Sequence, residues 1–214
     1  MDAHFWRQRW ELNEIAFHEA AANPVLVQHW SALGLEAGSR VFVPLCGKTL
    51  DIHWLLAQGF QVAGAELTEL AVQQLFAELG VTEPKITDEG KMRRYSAENI
   101  DIFVGDIFDL TRETLGAVDA VYDRAALVAL PEEVRTRYTE HLMHLTGRAP
   151  QLLICYVYDQ SAMPGPPFAI ADAEVARHYE DAYELTRLSN TEVPGGLKGR
   201  CAAVENVWWL HHAR

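Results

Sequence analysis

The carboxylate of Glu66 carries the clearest chemical signal in the sequence. Glu66 ends an apolar run, QVAGAE (61–66), that indicates a buried strand, and it lies 19 residues after Gly47. In an open α/β sheet, ligands bind outside the carboxyl ends of the strands, and an acid at this spacing accepts hydrogen bonds from both hydroxyls of a ribose. Glu66 is therefore a candidate for holding a nucleoside, and capping of the next helix together with Thr68 is the competing interpretation.

The turn that contains Gly47 limits which nucleoside would fit. The sequence PLCGK (44–48) follows a short apolar run, and its glycine lets the backbone approach a ligand while the next helix offers free N–H groups. A phosphate-binding P-loop needs a glycine where Phe42 stands, and the dinucleotide pattern GxGxxG is absent. Together with Glu66, the single glycine favours a nucleoside cofactor without phosphates, and an ordinary tight turn is the alternative.

An acidic residue also follows the third predicted strand, in the sequence GDIFD (105–109). In this class of fold, an acid at this place reaches the exocyclic amine of adenine, and an apolar neighbour stacks on the ring. Asp106 and Ile107 are therefore candidates for the adenine side of the site. Asp106 is equally explained as an Asx-turn residue.

The charged pair Asp123-Arg124 directly follows the fourth predicted strand, 118–122. Charges at the end of a buried strand are costly unless they are paired or solvated in a cleft. One interpretation is a structural ion pair. The other places Arg124 beside the cofactor or an electron-rich substrate.

The pattern of apolar residues and turns places these four strand ends in an α/β fold. Apolar runs predict strands at 40–43, 61–66, 100–104, 118–122 and 152–158, and periodicity predicts helices near 5–10, 24, 49–58, 69–79, 131–145 and 173–179. Two last strands, 183–188 and 203–210, have no helix between them and must be antiparallel. This layout is typical of the Rossmann-like class I S-adenosylmethionine-dependent methyltransferase fold, a mostly parallel seven-stranded sheet with helices on both faces and a C-terminal antiparallel strand pair.

Composition narrows the function classes. The 214 residues contain 49% hydrophobic and 22% charged residues, which suits one globular domain over 1–214, and the formal net charge is −12. Such a charge, without a Lys/Arg cluster, argues against nucleic acid and membrane surfaces as partners. We see neither a signal peptide nor an apolar run of about 20 residues. Three dispersed cysteines, Cys46, Cys155 and Cys201, fit a reducing cytoplasm better than a disulfide framework.

Metal and nucleophile chemistry have weaker support. His141 and His144 share one predicted helix, but no third ligand is indicated, so we expect no metal. No GxSxG pattern of a hydrolase occurs. Cys46 lies near a helix start that could lower the pKa of its thiol, although packing in the turn explains it better.

Eight segments resemble the thiopurine S-methyltransferase family, and its bacterial members most closely. They occur in the family's order along nearly the whole chain: FWRQRW (5–10), IAFH (15–18), VPLCGK (43–48), AELTE (65–69), DIFDL (106–110), YDRAALVALP (122–131), YDQ (158–160) and GPPF (165–168). The PLCGK turn is far more specific than a generic glycine-rich loop. The stretch 180–206 is least similar, and we expect it to help wall the acceptor pocket.

The resemblance implies S-adenosylmethionine as cofactor, with S-adenosylhomocysteine as its product. An aromatic N-terminal segment within 1–35 would act as a lid over a core at 40–214. The implied contacts to the cofactor come from Trp6, Trp10, Leu45, Glu66, Asp106, Ile107 and Arg124.

The resemblance also implies the substrate side. Phe17 would face the acceptor, and Arg124 would lie between cofactor and acceptor as the one catalytic residue. The acceptor would be a small thiol of the thiopurine type or a selenium or tellurium species, and the protein would be a monomer. Two alternatives stay open: a nicotinamide-dependent oxidoreductase on a similar sheet, and a catalytically silent cofactor-binding protein.

Overall fold

The computed structural model describes residues 3–15 and 19–212, and the chain divides between Ala120 and Val121 into two units. The first unit contains five strands: β1 (Arg40–Val43), β2 (Gln61–Glu66), β3 (Lys85–Glu89), β4 (Met92–Ala97) and β5 (Ile100–Val104). They are ordered β3-β4-β5-β2-β1. Strand β2 pairs in parallel with β1 and β5, whereas β4 pairs antiparallel with both β3 and β5. The carboxyl ends of β1, β2 and β5 therefore lie together.

Two of the five α-helices that the structure describes in the first unit begin at the capping side chains Asn23 and Thr49. The five are α1 (Ala3–Glu11), α2 (Pro24–His29), α3 (Leu50–Ala57), α4 (Glu69–Glu78) and α5 (Arg112–Leu115). The Asn23 side chain accepts a hydrogen bond from the Val25 N–H at 2.8 Å, and Thr49 accepts one from the Asp51 N–H at 3.3 Å. Such caps satisfy N–H groups that have no partner within the helix.

The second unit contains four strands and two α-helices. The strands are β6 (Ala120–Arg124, which crosses the boundary), β7 (Gln151–Tyr158), β8 (Glu184–Glu192) and β9 (Ala203–His211), and the helices are α6 (Glu132–Thr146) and α7 (Asp172–Tyr179). Strand β6 is parallel to β7, and β9 lies antiparallel between β7 and β8. The predicted C-terminal antiparallel pair is confirmed, and β8 extends to Glu192.

Three details of the predicted sheet were wrong. The described residues form nine strands, not seven, because the hairpin β3–β4 had not been predicted. Five of its eleven strand residues are charged, and β3 has no fully buried side chain, so the alternation that marks a strand is missing. Within the two units, four strand pairs are antiparallel and three are parallel, so the strand pairing is mixed and not mostly parallel. Strand β6 also lies two residues later than predicted, so Asp123 and Arg124 end the strand instead of following it.

No helix within residues 3–15 and 19–212 combines the length and the apolar character needed to span a membrane.

Candidate active site

Glu66 lies where three strand ends of the first unit meet. Its Oε2 accepts a hydrogen bond from the Gly47 N–H at 2.8 Å, and its Oε1 accepts one from the Thr68 N–H at 2.8 Å. The Gly105 N–H donates to the Glu66 carbonyl at 2.9 Å. The carboxylate therefore joins the turn after β1 to the end of β2, and the backbone joins that end to the residue after β5.

Burial dominates the electrostatics of Glu66, whose surface is 6% exposed. Loss of hydration raises the pKa of the carboxyl above its usual range, and the N–H donors of Thr68 and Gly47 act against that shift. Each carboxylate oxygen can accept two hydrogen bonds and receives one from these two amides. Glu66 therefore keeps acceptor capacity on both oxygens, which a pair of ribose hydroxyls would use.

The turn between β1 and α3 requires a glycine at position 47. Gly47 has a φ of +53°, and a Cβ there would lie 3.1 Å from Cζ2 of Trp10. Leu45, in the same turn, is half-buried and has a φ of +47°. The indole of Trp10 in α1, 4% exposed, thus packs directly against the turn that Glu66 holds.

Cys46 is a packed residue of this turn. Its Sγ would lie 3.0 Å from a Cβ at Gly64. Desolvation, followed by the charge of Glu66, raises the pKa of the Cys46 thiol well above its ordinary value. A thiol held protonated in this way is a poor nucleophile, so the structure favours the packing interpretation that the sequence had preferred.

Asp106 and Ile107 follow β5 with different exposure. The exposed Asp106 accepts a hydrogen bond from the Phe108 N–H at 3.0 Å, which is the Asx-type geometry that the sequence had left open. Ile107 is 5% exposed. The Gly105 N–H donates a hydrogen bond to the Glu66 carbonyl. Asp106 and Ile107, which directly follow Gly105, therefore lie close to the end of the strand that carries Glu66.

The other predicted contacts are placed less completely. Trp6 lies half-buried in α1, with its ring 5.3 Å from that of Phe5 in an edge-to-face arrangement. Phe17 lies outside the described residues. In the part of the chain that the structure describes, no three His, Cys, Asp or Glu side chains are grouped so that they could hold a metal ion.

In the second unit, Asp123 is fully buried at the end of β6. Its Oδ1 accepts a hydrogen bond from the Leu127 N–H at 3.0 Å, and its Oδ2 accepts one from the Tyr138 hydroxyl at 2.7 Å. Arg124, the next residue, is half-buried. Sequence reasoning missed Tyr138, because nothing in its helical position marks it as the partner of a carboxylate 15 residues earlier.

Burial raises the pKa of Asp123 to about 6. As the pH rises from 4 to 6, the unfolded chain releases this proton while the folded chain retains it, so the free energy of unfolding falls. Two pKa units correspond to about 3 kcal/mol. We predict that Asp123→Asn removes this contribution and flattens the decline, as urea denaturation at pH 4, 5, 6 and 7 would measure. Asp181→Asn, at an exposed site, is the control, and an unchanged slope in Asp123→Asn would contradict the prediction.

The segment 193–203 folds back onto the loop that follows β7. Leu197 and Ala203 pack with Met163, and the Lys198 ammonium donates to the Pro166 carbonyl at 2.8 Å. Beside them lies a groove of about 300 Å³. It is lined by Val157, Glu192, Val193, Gly196, Ala202, Ala203 and Val204.

A family model and individual relatives both match this chain, and they point to the same family. A sequence model of the family described as Thiopurine S-methyltransferase (TPMT) matches residues 1–209. A thiopurine S-methyltransferase of Xanthobacter autotrophicus is 55% identical over 214 residues, covering 100% of both chains. One from Gluconobacter oxydans is 52% identical over 207 residues, covering 97% of this chain and 94% of the relative.

Solved structures are similar in fold at low sequence identity. A 1,6-didemethyltoxoflavin-N1-methyltransferase of Burkholderia thailandensis, with bound 1,6-didemethyltoxoflavin and S-adenosylhomocysteine, has a TM-score of 0.65 at 16% identity, covering 98% of this chain and 87% of that one. A TehB-like methyltransferase of Corynebacterium glutamicum has a TM-score of 0.57 at 13% identity, covering 99% and 98%.

These matches confirm the Rossmann-like methyltransferase fold and, through the family, the activity class and the S-adenosylmethionine cofactor that the sequence predicted. They favour methyl transfer over the nicotinamide alternative. With matches of this extent in both the family model and the curated relatives, the chain belongs to the thiopurine S-methyltransferase family.

Proposed function

We propose that the protein transfers the methyl group of S-adenosylmethionine to a small-molecule thiol of the thiopurine type, or to a selenium or tellurium species. The observation that carries this proposal is the buried carboxylate of Glu66, held by the Gly47 and Thr68 amides with acceptor capacity left on both oxygens. The relatives of Xanthobacter autotrophicus and Gluconobacter oxydans are both named thiopurine S-methyltransferase, which supports the thiol as acceptor.

The residues of the first unit fit this cofactor better than a dinucleotide. Glu66 would accept hydrogen bonds from the two ribose hydroxyls. Asp106 would bind the exocyclic amine of the adenine, and Ile107 would contact its ring. A pyrophosphate needs several N–H groups that converge on it. The Gly47 N–H already donates to the Glu66 carboxylate, so it is not available for a phosphate.

The methionine end of the cofactor is assigned to residues around the Gly47 turn. Leu45 would line it, and Trp10, packed against Gly47, would cover it together with Trp6. Helix α1 would then serve as a lid that excludes water from the transferring methyl group.

The sulfonium of the bound cofactor supplies an already activated methyl group, so the protein mainly aligns donor and acceptor. We assign Arg124 as the catalytic residue, because a guanidinium beside the acceptor favours its thiolate or selenolate form electrostatically. An aromatic thiol on an electron-poor ring is substantially ionised near neutral pH. For such acceptors we therefore assign no general base.

The acceptor pocket is assigned to Phe17, Arg124 and the segment 193–203. The groove beside β9 supports a role for that segment in walling a small-molecule site, since its lining is mostly small and apolar.

The wider organisation belongs to the same proposal. One methyltransferase domain spans 1–214, which the match over residues 1–209 supports. The protein is a cytoplasmic monomer whose substrate partner is a small molecule and not a nucleic acid or a membrane. The net charge of −12 and the three free cysteines support this assignment.

Calorimetric titration of the purified protein tests the cofactor assignment first. We expect micromolar binding of S-adenosylhomocysteine and none of NADH under the same conditions. Transfer of a labelled methyl group to 6-mercaptopurine, selenite and tellurite would then identify the acceptor class. Cofactor binding without methylation of any thiol, selenium or tellurium compound would favour a catalytically silent binding protein.

A further inference from the structure

The backbone directly after Arg124 is held in an unusual conformation. Ala125 has a φ of +63°, in the left-handed region that residues with a side chain seldom adopt. A short 3-10 helix, Leu127–Ala129, follows at once. A turn of this kind persists only where the surrounding structure determines it, so the contacts around it also determine where Arg124 lies.

Asp123 makes the contacts that hold this turn. Its Oδ1 accepts from the Leu127 N–H at 3.0 Å, which closes the turn from the residue before Arg124 to the third residue after it. Its Oδ2 accepts from the Tyr138 hydroxyl at 2.7 Å, which fixes the carboxylate to α6. Asp123, Leu127 and Tyr138 are each 0% exposed, so water does not compete for these bonds.

The buried surroundings of Asp123 make its carboxylate costly for folding. The charge of Asp123 adds to the upward pKa shifts of Tyr138 in α6, Tyr179 in α7 and Cys155 in β7, and burial is the largest cause of the upward shift for all four groups. A buried carboxylate without a cationic partner among these groups opposes folding, and an apolar residue at such a place is often at least as stable. An apolar residue could not accept these two hydrogen bonds. The one from Leu127 closes the turn, and the one from Tyr138 fixes the carboxylate to α6.

We propose that Asp123, braced by Tyr138, is a positioning residue for methyl transfer that fixes the Arg124 guanidinium at the acceptor by holding the turn 124–127. This inference rests on the proposed role of Arg124. Asp123 and Tyr138 themselves touch neither cofactor nor acceptor in this proposal.

A double-mutant cycle on the full-length protein tests whether Tyr138 acts through Arg124. The variants are Tyr138→Phe, Arg124→Ala and the double variant, with kcat and KM measured for methylation of 6-mercaptopurine and Kd for S-adenosylhomocysteine. Tyr95→Phe is the matched control, because this tyrosine is buried in β4 of the first unit and its hydroxyl donates to the Glu69 carboxylate, outside the turn and the proposed site.

We expect Tyr138→Phe to lower kcat about tenfold, because the Asp123 carboxylate loses the hydrogen bond that fixes it and the Arg124 guanidinium is then held less well at the acceptor. The Kd for S-adenosylhomocysteine stays within about twofold, since the cofactor contacts are unchanged. In the Arg124→Ala background, Tyr138→Phe causes no further loss, because the guanidinium that it positions is gone. Tyr95→Phe leaves kcat as in the wild type.

Asp123→Asn and Asp123→Ala provide a second measurement. Asparagine keeps an oxygen for the Leu127 N–H and should retain most of kcat, whereas alanine should lose as much as Tyr138→Phe or more. Equal losses from Tyr138→Phe in both backgrounds, or none in either, would overturn the positioning role while leaving that of Arg124 intact. A wild-type kcat in Arg124→Ala would instead overturn the role of Arg124, and the positioning role with it.

Discussion

Replacing Glu66 with alanine is expected to weaken S-adenosylhomocysteine binding by at least about 100-fold. Hydrogen bonds to a charged group contribute about 1.5–3 kcal/mol each, two are expected from the ribose, and 1.4 kcal/mol is a factor of ten. The substitution also leaves the buried N–H groups of Gly47 and Thr68 without their acceptor, which loosens the turn itself. Calorimetric titration of both proteins would measure the difference.

Two further variants separate these contributions. Glu66→Gln keeps the shape of the side chain but replaces one acceptor oxygen with a donor, so we expect an intermediate loss of about tenfold. Glu69→Ala is the matched control, because this half-buried acid lies three residues later in α4 and its carboxylate binds Arg93 and the Tyr95 hydroxyl instead of the Gly47 turn. Its Kd should equal that of the wild type. A Kd in Glu66→Ala within about threefold of wild type would refute the ribose contact.

Replacing Arg124 with alanine is expected to lower kcat about 10- to 100-fold while changing the Kd for S-adenosylhomocysteine by less than about threefold. The reason is that the guanidinium acts on charge at the acceptor and supplies only one of the implied cofactor contacts, whereas the two ribose hydrogen bonds come from Glu66. Initial rates at saturating acceptor, beside calorimetry, would measure both quantities.

A series of acceptors makes this prediction more specific. A thiol that is already ionised at the assay pH needs little help from Arg124, so the loss in kcat should shrink as the pKa of the acceptor thiol falls. Arg177→Ala, an exposed arginine in α7 of the same unit, controls for loss of a positive charge and should leave kcat unchanged. An unaltered kcat in Arg124→Ala at saturating acceptor would exclude the electrostatic role.

Local sequence was sufficient for most of the fold that surrounds Glu66. The apolar run 61–66, the Gly47 turn and the capping residue Thr49 each act within a few residues, because strand burial, turn conformation and helix capping depend on near neighbours. The predicted helix 49–58 is observed as Leu50–Ala57, and the strand that ends at Glu66 is observed with both predicted bounds. Spacing alone therefore placed a carboxylate at the end of a strand.

The hairpin β3–β4 shows where local sequence was insufficient. Only Met92 and Tyr95 of its eleven paired-strand residues are buried, and they stand three positions apart, which indicates a helix as readily as a strand. What makes these residues strands is the ladder between β4 and β5, with Tyr95 opposite Ile102. Backbone pairing to a neighbouring strand is decided by the sheet and leaves little trace in the side chains of an exposed edge.

The sequence by itself determined that an acid, a glycine turn and an arginine stand at strand ends, and through its motifs it determined the family. The tertiary structure decided what holds each of them. Trp10 packs against Gly47, 37 residues later in the chain, and the Tyr138 hydroxyl binds the Asp123 carboxylate. The spacing of such residues along the sequence follows neither the helix nor the strand period, because these contacts depend on how whole elements pack. Only the folded chain brings their atoms within hydrogen-bonding or van der Waals distance.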